Sequence, residues 1–237
     1  MAISVAQSAK NTASTSSVTP AFASATTTGN LIVLCFAADD YNGTVDSGWT
    51  ESSEMEQQTY QGGYLWWKLS TGETTVPSYT IGSATTSAWV LAEFAATDTS
   101  APYDTSQGQF QQTSTGSYTS AAITPSTGQR LLVAAFGGSS GGTTDISGAY
   151  SAWTDSFTAL DNVGWATGSA RVCMGVGWRE VTGDGSTTFS TGVAYPTTVQ
   201  SKTSMLASFK AATGGGGSTS TFVASRRPRT ALLGIRR

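Results

Sequence analysis

One pattern limits the folds open to this chain more than any other: the sequence repeats itself. Gly29-Asn30-Leu31-Ile32-Val33-Leu34-Cys35-Phe36 is echoed by Gly128-Gln129-Arg130-Leu131-Leu132-Val133-Ala134-Ala135-Phe136. Trp49-Thr50 then answers to Trp153-Thr154, and Leu65-Trp66-Trp67-Lys68 to Val176-Gly177-Trp178-Arg179. Thr71-Gly72 matches Thr182-Gly183, Ser78-Tyr79-Thr80 matches Thr188-Phe189-Ser190, and Val90-Leu91-Ala92-Glu93-Phe94 matches Met205-Leu206-Ala207-Ser208-Phe209. The order is kept while the offset grows from 100 to 115 residues, as expected of two related halves with longer loops in the second.

Each half predicts about five strands. They fall near 18–24, 30–38, 60–69, 76–82 and 87–96 in the first half, and near 117–124, 130–137, 169–180, 186–191 and 202–211 in the second. Period-2 alternation puts Leu65, Trp67, Val172, Met174, Val176 and Trp178 on a core face, with Trp66, Lys68 and Arg179 facing out. Leu31–Phe36 and Leu131–Phe136 do not alternate. A strand buried on both faces reads this way, so these two are central, their outer sides covered by a loop, the other half or a second subunit. No capped 3.6-period pattern marks a helix. The expectation is an all-β protein: a two-sheet β-sandwich of jelly-roll type, residues 1–212, built from pseudo-repeats at about 10–100 and 110–212. Residues 97–109 read as the join.

Composition supports this. Charged residues make up only 11% and aromatic residues 10% of the 237, with Ser, Thr and Gly filling the balance. A disordered chain is poor in aromatics and rich in charge. The net charge of −3 is unevenly spread. Arg226, Arg227, Arg229, Arg236 and Arg237 lie among residues 214–237 without an acid, +5, which leaves −8 on the rest. Four glycines at 214–217 and the following Ser/Thr stretch make 213–221 a flexible linker, and 222–237 an extended basic tail.

The residue inventory excludes much chemistry. The chain has no histidine, which removes Ser-His-Asp and Cys-His nucleophile activation and the commonest metal ligand. Cys35 and Cys173 cannot make a structural zinc site, and they read as buried thiols, with a bridge as the alternative. Glu51, Glu54 and Glu56, and Asp39, Asp40 and Asp46, form local acidic groups. A glycosidase pair or a calcium loop at Asp39–Gly43 is the sharper reading of them, and solvated loop acids with an Asn-Gly turn the plainer one. No catalytic residue, metal or cofactor is expected. Met1–Gln7 shows no charged leader before an apolar segment, and no apolar run approaches the ~18 residues of a membrane span.

Gly29-Asn30-Leu31-Ile32-Val33, Gly48-Trp49-Thr50, Trp66-Trp67-Lys68-Leu69, Tyr79-Thr80-Ile81 and Phe94-Ala95-Ala96 followed by Ala101-Pro102-Tyr103-Asp104 together carry a resemblance. Over roughly residues 10–212 the chain resembles a β-sandwich family of tailed-bacteriophage structural proteins, especially of actinobacterial hosts, and of some secreted bacterial surface proteins. The resemblance implies virion display without catalysis, as a capsid decoration or minor tail protein. The second half departs in having Ala152-Trp153-Thr154 for Gly-Trp-Thr, and the basic tail has no counterpart in the family.

Three functions follow as expectations. The first is a non-enzymatic virion structural protein, foremost a capsid decoration protein. Its body would be displayed while Arg226, Arg227, Arg229, Leu232, Leu233, Ile235, Arg236 and Arg237 anchor it to the major capsid or a tail protein, with assembly in the host cytoplasm. Its doubly apolar strands suggest a homo-oligomer. The second is a carbohydrate-binding module that meets host cell-wall glycan through Tyr41, Tyr60, Trp66 and Trp165; Tyr103 and Tyr195 are also read as surface-facing. The third, nucleic-acid binding by the tail, is opposed by the acidic body.

Overall fold

The computed structural model describes residues 2–39, 43–57, 61–81, 86–112, 116–140, 146, 150–165, 171–195 and 201–212. Among them there is no helix. The first half supplies β1 (Ser4–Ala13), β2 (Ser17–Val18), β3 (Leu31–Ala38), β4 (Gly43–Val45), β5 (Thr50–Gln57), β6 (Gln61–Leu69), β7 (Tyr79–Ile81) and β8 (Ser87–Ala95). The second supplies β9 (Tyr103–Gln112), β10 (Ser117–Thr119), β11 (Gly128–Ser140), β12 (Thr158–Gly164), β13 (Arg171–Gly183), β14 (Gly192–Ala194) and β15 (Ser201–Lys210).

The doubly apolar runs become the middle strands of two antiparallel five-stranded sheets, ordered β1-β8-β3-β6-β5 and β9-β15-β11-β13-β12. Each sheet is drawn from one half alone. The expectation of one sandwich is met, but the halves do not interleave strands within shared sheets; they stack face to face. β1 lies against β12, β8 against β13, β6 against β15 and β5 against β9, the arrangement a twofold axis along the strands would produce.

Because side chains alternate, β3 and β11 each serve two cores. Leu31, Val33 and Cys35 meet Leu131, Val133 and Ala135 in the core between the sheets, with Leu65, Phe94, Val172, Met174, Val176 and Phe209. Ile32, Leu34 and Phe36 face outward into a second core beneath the small sheet β2-β7-β4. Leu132, Ala134 and Phe136 face a third beneath β10-β14, where a single Ser151–Ala194 bridge stands in place of β4. The chain thus covers its own outer faces, and neither central strand needs a second subunit to bury it.

The repeat extends to irregularities. Both sheets carry a bulge opposite the central Trp strands, between Glu51 and Ser53 and between Ala159 and Asp161. Both carry another on the outer strand beside β8 or β15, between Val5 and Gln7 and opposite the step from Ser208 to Phe209. Two sequence matches shift in register. Thr50 pairs with Trp67 as Thr158 pairs with Trp178, so Trp49 corresponds to Phe157 and not to Trp153. Val18 pairs with Tyr79 as Tyr118 pairs with Val193, so Tyr79 corresponds to Val193 and not to Phe189. The segment read as the join also differs: most of it belongs to β9, and the connection is 96–102.

Candidate functional site

All strands of both sheets run between the same two ends of the sandwich. At one end lie the starts of β3, β5, β11 and β12, and there the described chain leaves through Ala212, whose N–H donates to Ala96 O at 2.8 Å. Asp46, Asp155 and Asp184 are exposed at this end and Asp98 half-exposed. Asp98 and Asp184 have their pKa values lowered by local donors: Ser100 and Ala101 N–H groups for the first, the Thr187 hydroxyl and the Thr187 and Ser186 N–H groups for the second. Both therefore stay charged while holding turns. The opposite end carries the termini of β3 and β11 and the starts of β6, β8, β13 and β15.

The aromatic residues expected at a glycan surface are scattered. Trp66 is buried, a correction to its outward reading. It does face away from Leu65 and Trp67, but that side is itself roofed by the small sheet. Its ring lies 4.7 Å from that of Phe36 and 5.1 Å from that of Tyr64, and its Nε1 reaches Glu51 Oε2 at 3.4 Å. Tyr195 is buried too, its hydroxyl donating to Gly137 O at 3.2 Å. Tyr103 turns inward, parallel to Trp67 at 6.3 Å. Trp165 is half-buried at the end opposite Ala212, packed on the inter-sheet core, with Nε1 donating to Ser87 O at 3.2 Å. Tyr41 and Tyr60 lie outside the described residues, as do Arg226, Arg227, Arg229, Leu232, Leu233, Ile235, Arg236 and Arg237. No coplanar pair of exposed rings forms among the described residues named here.

Two carboxylates set into the sheets, Glu93 and Asp104, have structural partners. Glu93 accepts from Gln7 Nε2 at 2.7 Å, Thr27 N at 2.7 Å and Asn30 Nδ2 at 2.6 Å. Asp104 accepts from Ser126 N and Ser208 Oγ, both at 3.0 Å, and from Arg130 Nε at 3.2 Å. Cys35 and Cys173 are free thiols in different cores. Burial pushes the Cys173 pKa up to about 12 and raises that of Cys35 further, so neither is a thiolate at neutral pH. Among the described residues no three His, Cys, Asp or Glu side chains come together as a metal site, and no helix is long and apolar enough to cross a membrane.

A shallow groove lies between β9 and β10. Gln109, Phe110 and Gln111 of β9 and Ser117, Tyr118 and Thr119 of β10 line an open depression of about 490 Å³. Tyr118 is buried, its hydroxyl donating to Gln109 O at 3.0 Å, and Gln109 Nε2 donates to Thr119 O at 2.6 Å. These two bonds fix the groove's floor. Phe110 and Gln111 are half-exposed and Thr119 exposed. None of the six lining side chains is charged. Lys202, the cross-strand neighbour of Gln111, is buried with its ammonium 5.0 Å from the Tyr195 ring. Nothing in the sequence marks this groove, because β9 lacks any apolar alternation.

Comparison with protein-family models, with curated proteins and with solved structures finds no match.

Proposed function

We propose that this protein is a non-enzymatic structural protein of a bacteriophage virion, a capsid decoration protein that displays its sandwich on the particle and is held there by its basic C-terminal tail. The observation that carries this reading is the charge division along the chain, taken with the place where the body ends. The described body closes at Ala212, at an end ringed by Asp46, Asp98, Asp155 and Asp184. Beyond it the sequence continues through a glycine linker to five arginines mixed with Leu232, Leu233 and Ile235. Arginine forks select carboxylates. A partner surface rich in carboxylates would repel the acidic end of the body, so contact falls to the tail, and the linker supplies the separation. The sequence resemblance to tailed-phage β-sandwich proteins supports the same assignment, and many tethered copies on one particle would add avidity.

The test compares full-length protein with a version stopped after Thr213 for co-sedimentation with particles that lack the protein. The full chain is expected to bind, with affinity falling as salt rises, and the truncation to remain in the supernatant. Equal binding by both would remove the tail from the role, and binding by neither would remove the virion.

A further inference from the structure

We propose that this protein pairs with a second copy of itself through the edge strand β9. Two β9 strands meet antiparallel about a twofold axis, so that the β9-β15-β11-β13-β12 sheet continues from one molecule into the next. The inference rests on the sheet edges and is independent of where the tail docks.

An edge strand presents unpaired N–H and C=O groups to any strand laid beside it, unless charge, proline or a bulge prevents it. Three of the four edges of the two large sheets are guarded. β1 and β12 form one side of the sandwich, where Lys10 Nζ reaches Asp161 at 2.5 Å and Asn162 O at 2.9 Å. β12 is also bulged between Ala159 and Asp161. β5 is bulged between Glu51 and Ser53 and carries Glu51, Glu54 and Glu56. β9 differs. Its bulge and its one charge, Asp104, sit together at its start, and Asp104 is turned to Arg130. From 105 to 112 it pairs regularly with β15, and this stretch holds no charged residue and no proline. Among the described residues no strand lies on its outer side.

The repeat supplies an internal control. Matching the register of β1 on β8 with that of β9 on β15 places Lys10 with Gly108. Matching β12 on β13 with β5 on β6 places Asp161 with Ser53. The ion pair that closes one side of the sandwich therefore has a glycine and a serine as its counterparts on the other. One unguarded side per molecule gives a closed pair and no filament.

The unguarded edge is complementary to itself. Ser106, Gly108 and Phe110 share the inter-sheet face: Ser106 Oγ reaches Ser52 O, and Thr203, beside Phe110, points at Gly63 of the facing sheet. Antiparallel pairing centred on Gln109 puts Phe110 opposite Gly108 of the second copy on that face, and Gln107 opposite Gln111 on the other. The half-exposed Phe110 ring then covers a residue with no side chain, and the amides pair donor to acceptor. No like charges meet along the seam. The same axis brings the two β5 strands toward each other with their glutamates, so the seam forms in one layer only, and the repulsion beside it is relieved by salt.

Sedimentation equilibrium of the full-length protein, from micromolar to millimolar concentration, reads the pairing. A monomer–dimer equilibrium is expected, tightened by added salt and kept in the version stopped after Thr213. Association of the arginine tail with an acidic body would instead loosen with salt and vanish with the tail. Gly108→Lys, which gives β9 the residue that guards β1, and Gln107→Lys, at an exposed position, are each expected to weaken dimerisation at least tenfold without moving the melting temperature of dilute protein. Asn11→Lys on β1 is expected to dimerise as the parent does. The proposal is overturned if the protein stays monomeric at millimolar concentration, if it assembles past a dimer, if the dimer is lost with the tail, or if the β9 lysine variants dimerise as well as the parent. Should Gly108→Lys fail to fold, Gln107→Lys decides alone. Particle binding is read separately, so failure here leaves the tail's role untouched.

Discussion

Glu93 on β8 and Asp104 on β9 sit at corresponding corners of the two sheets, each beside the turn that leads into a central strand. Both gather the donors of that turn: Thr27 and Asn30 in the first half, Ser126 and Arg130 in the second. The carboxylate has changed strand between the halves, yet the need it meets is the same, since a turn leaves backbone N–H groups without partners inside the ladder. Asp104 and Arg130 retain only 7% and 9% side-chain exposure. Asp104→Ala is therefore expected to cost about 3 kcal/mol, at the lower edge of broken buried pairs because Arg130 keeps its bonds to Thr127 O and Gln129 O. Urea denaturation would measure it. Acid should act through the same kind of group. Burial alone would raise the Glu73 pKa, but Lys68 Nζ at 2.5 Å and the Thr71 N–H and hydroxyl outweigh it and hold the pKa at about 2. Asp104 is lowered likewise, against its burial, by Ser126, Ser208 and Arg130. A carboxylate whose folded pKa is depressed stabilises fully above its unfolded value of about 4 and loses that contribution as pH falls through the folded one. The melting temperature should hold steady from pH 7 to about 5 and then drop toward pH 2. Glu73→Gln should lower the plateau and flatten the drop. An unchanged acid limb in that variant would assign it to other groups.

At the scale of elements, the two outer cores are filled by the same kinds of ring from different places. Tyr64 and Trp66 stand on β6 in the first half; the register equates them with Gly175 and Gly177 of β13. A Cβ at Gly175 would lie 2.5 Å from Tyr150, and one at Gly177 2.6 Å from Trp153. The loop before β12 thus lays a tyrosine and a tryptophan onto the glycines, restoring the volume that the strand gave up. Gly177→Ala should cost about 1–3 kcal/mol by overpacking, and most of that cost should vanish when Trp153 is already alanine. A double-mutant cycle by thermal melts checks this, and a coupling near zero would contradict the packing described. The exchange also explains what the sequence could and could not show. Trp153 matches Trp49 in sequence because a Trp-Thr pair recurs, whereas its ring does the work of Trp66. The six inner strands β3, β6, β8, β11, β13 and β15 were legible from apolar pattern alone. The four edge strands β1, β5, β9 and β12 were not, because an edge strand with a half-wet face carries Ser, Thr, Gln and Asn where a central strand carries Leu and Val. The burial of Trp66 is not visible in the sequence for a related reason: alternation tells which residues share a face, not whether a second layer covers that face.

For the whole molecule, the question is whether two halves that each build a sheet and an outer core are two domains or one. The inter-sheet core decides it. Leu31, Val33, Leu65, Val90, Phe94, Leu131, Val133, Val176, Met205 and Phe209 are at most 1% exposed only because the sheets face each other. Separating them would expose an apolar face on each half far larger than the few hundred Å² that soluble monomers tolerate. The two open sides are also closed across the sheets, by Lys10 to Asp161 at 2.5 Å on one and by Ser106 Oγ to Ser52 O on the other. The sandwich should therefore unfold as one unit. At about 0.7 kcal/mol per residue near 60 °C, the roughly 180 described residues predict a single calorimetric transition of about 125 kcal/mol, with van't Hoff and calorimetric enthalpies in agreement. Two separate transitions of about half that size would show instead that each outer core stabilises its half alone. On the cooperative reading, residues 1–98 and 99–237 made apart should aggregate or stay unfolded singly. Mixed during refolding, they should recover the melting behaviour of the intact chain, since the connection at 96–102 carries no core residue apart from the buried Thr97 and Pro102 that pack its ends.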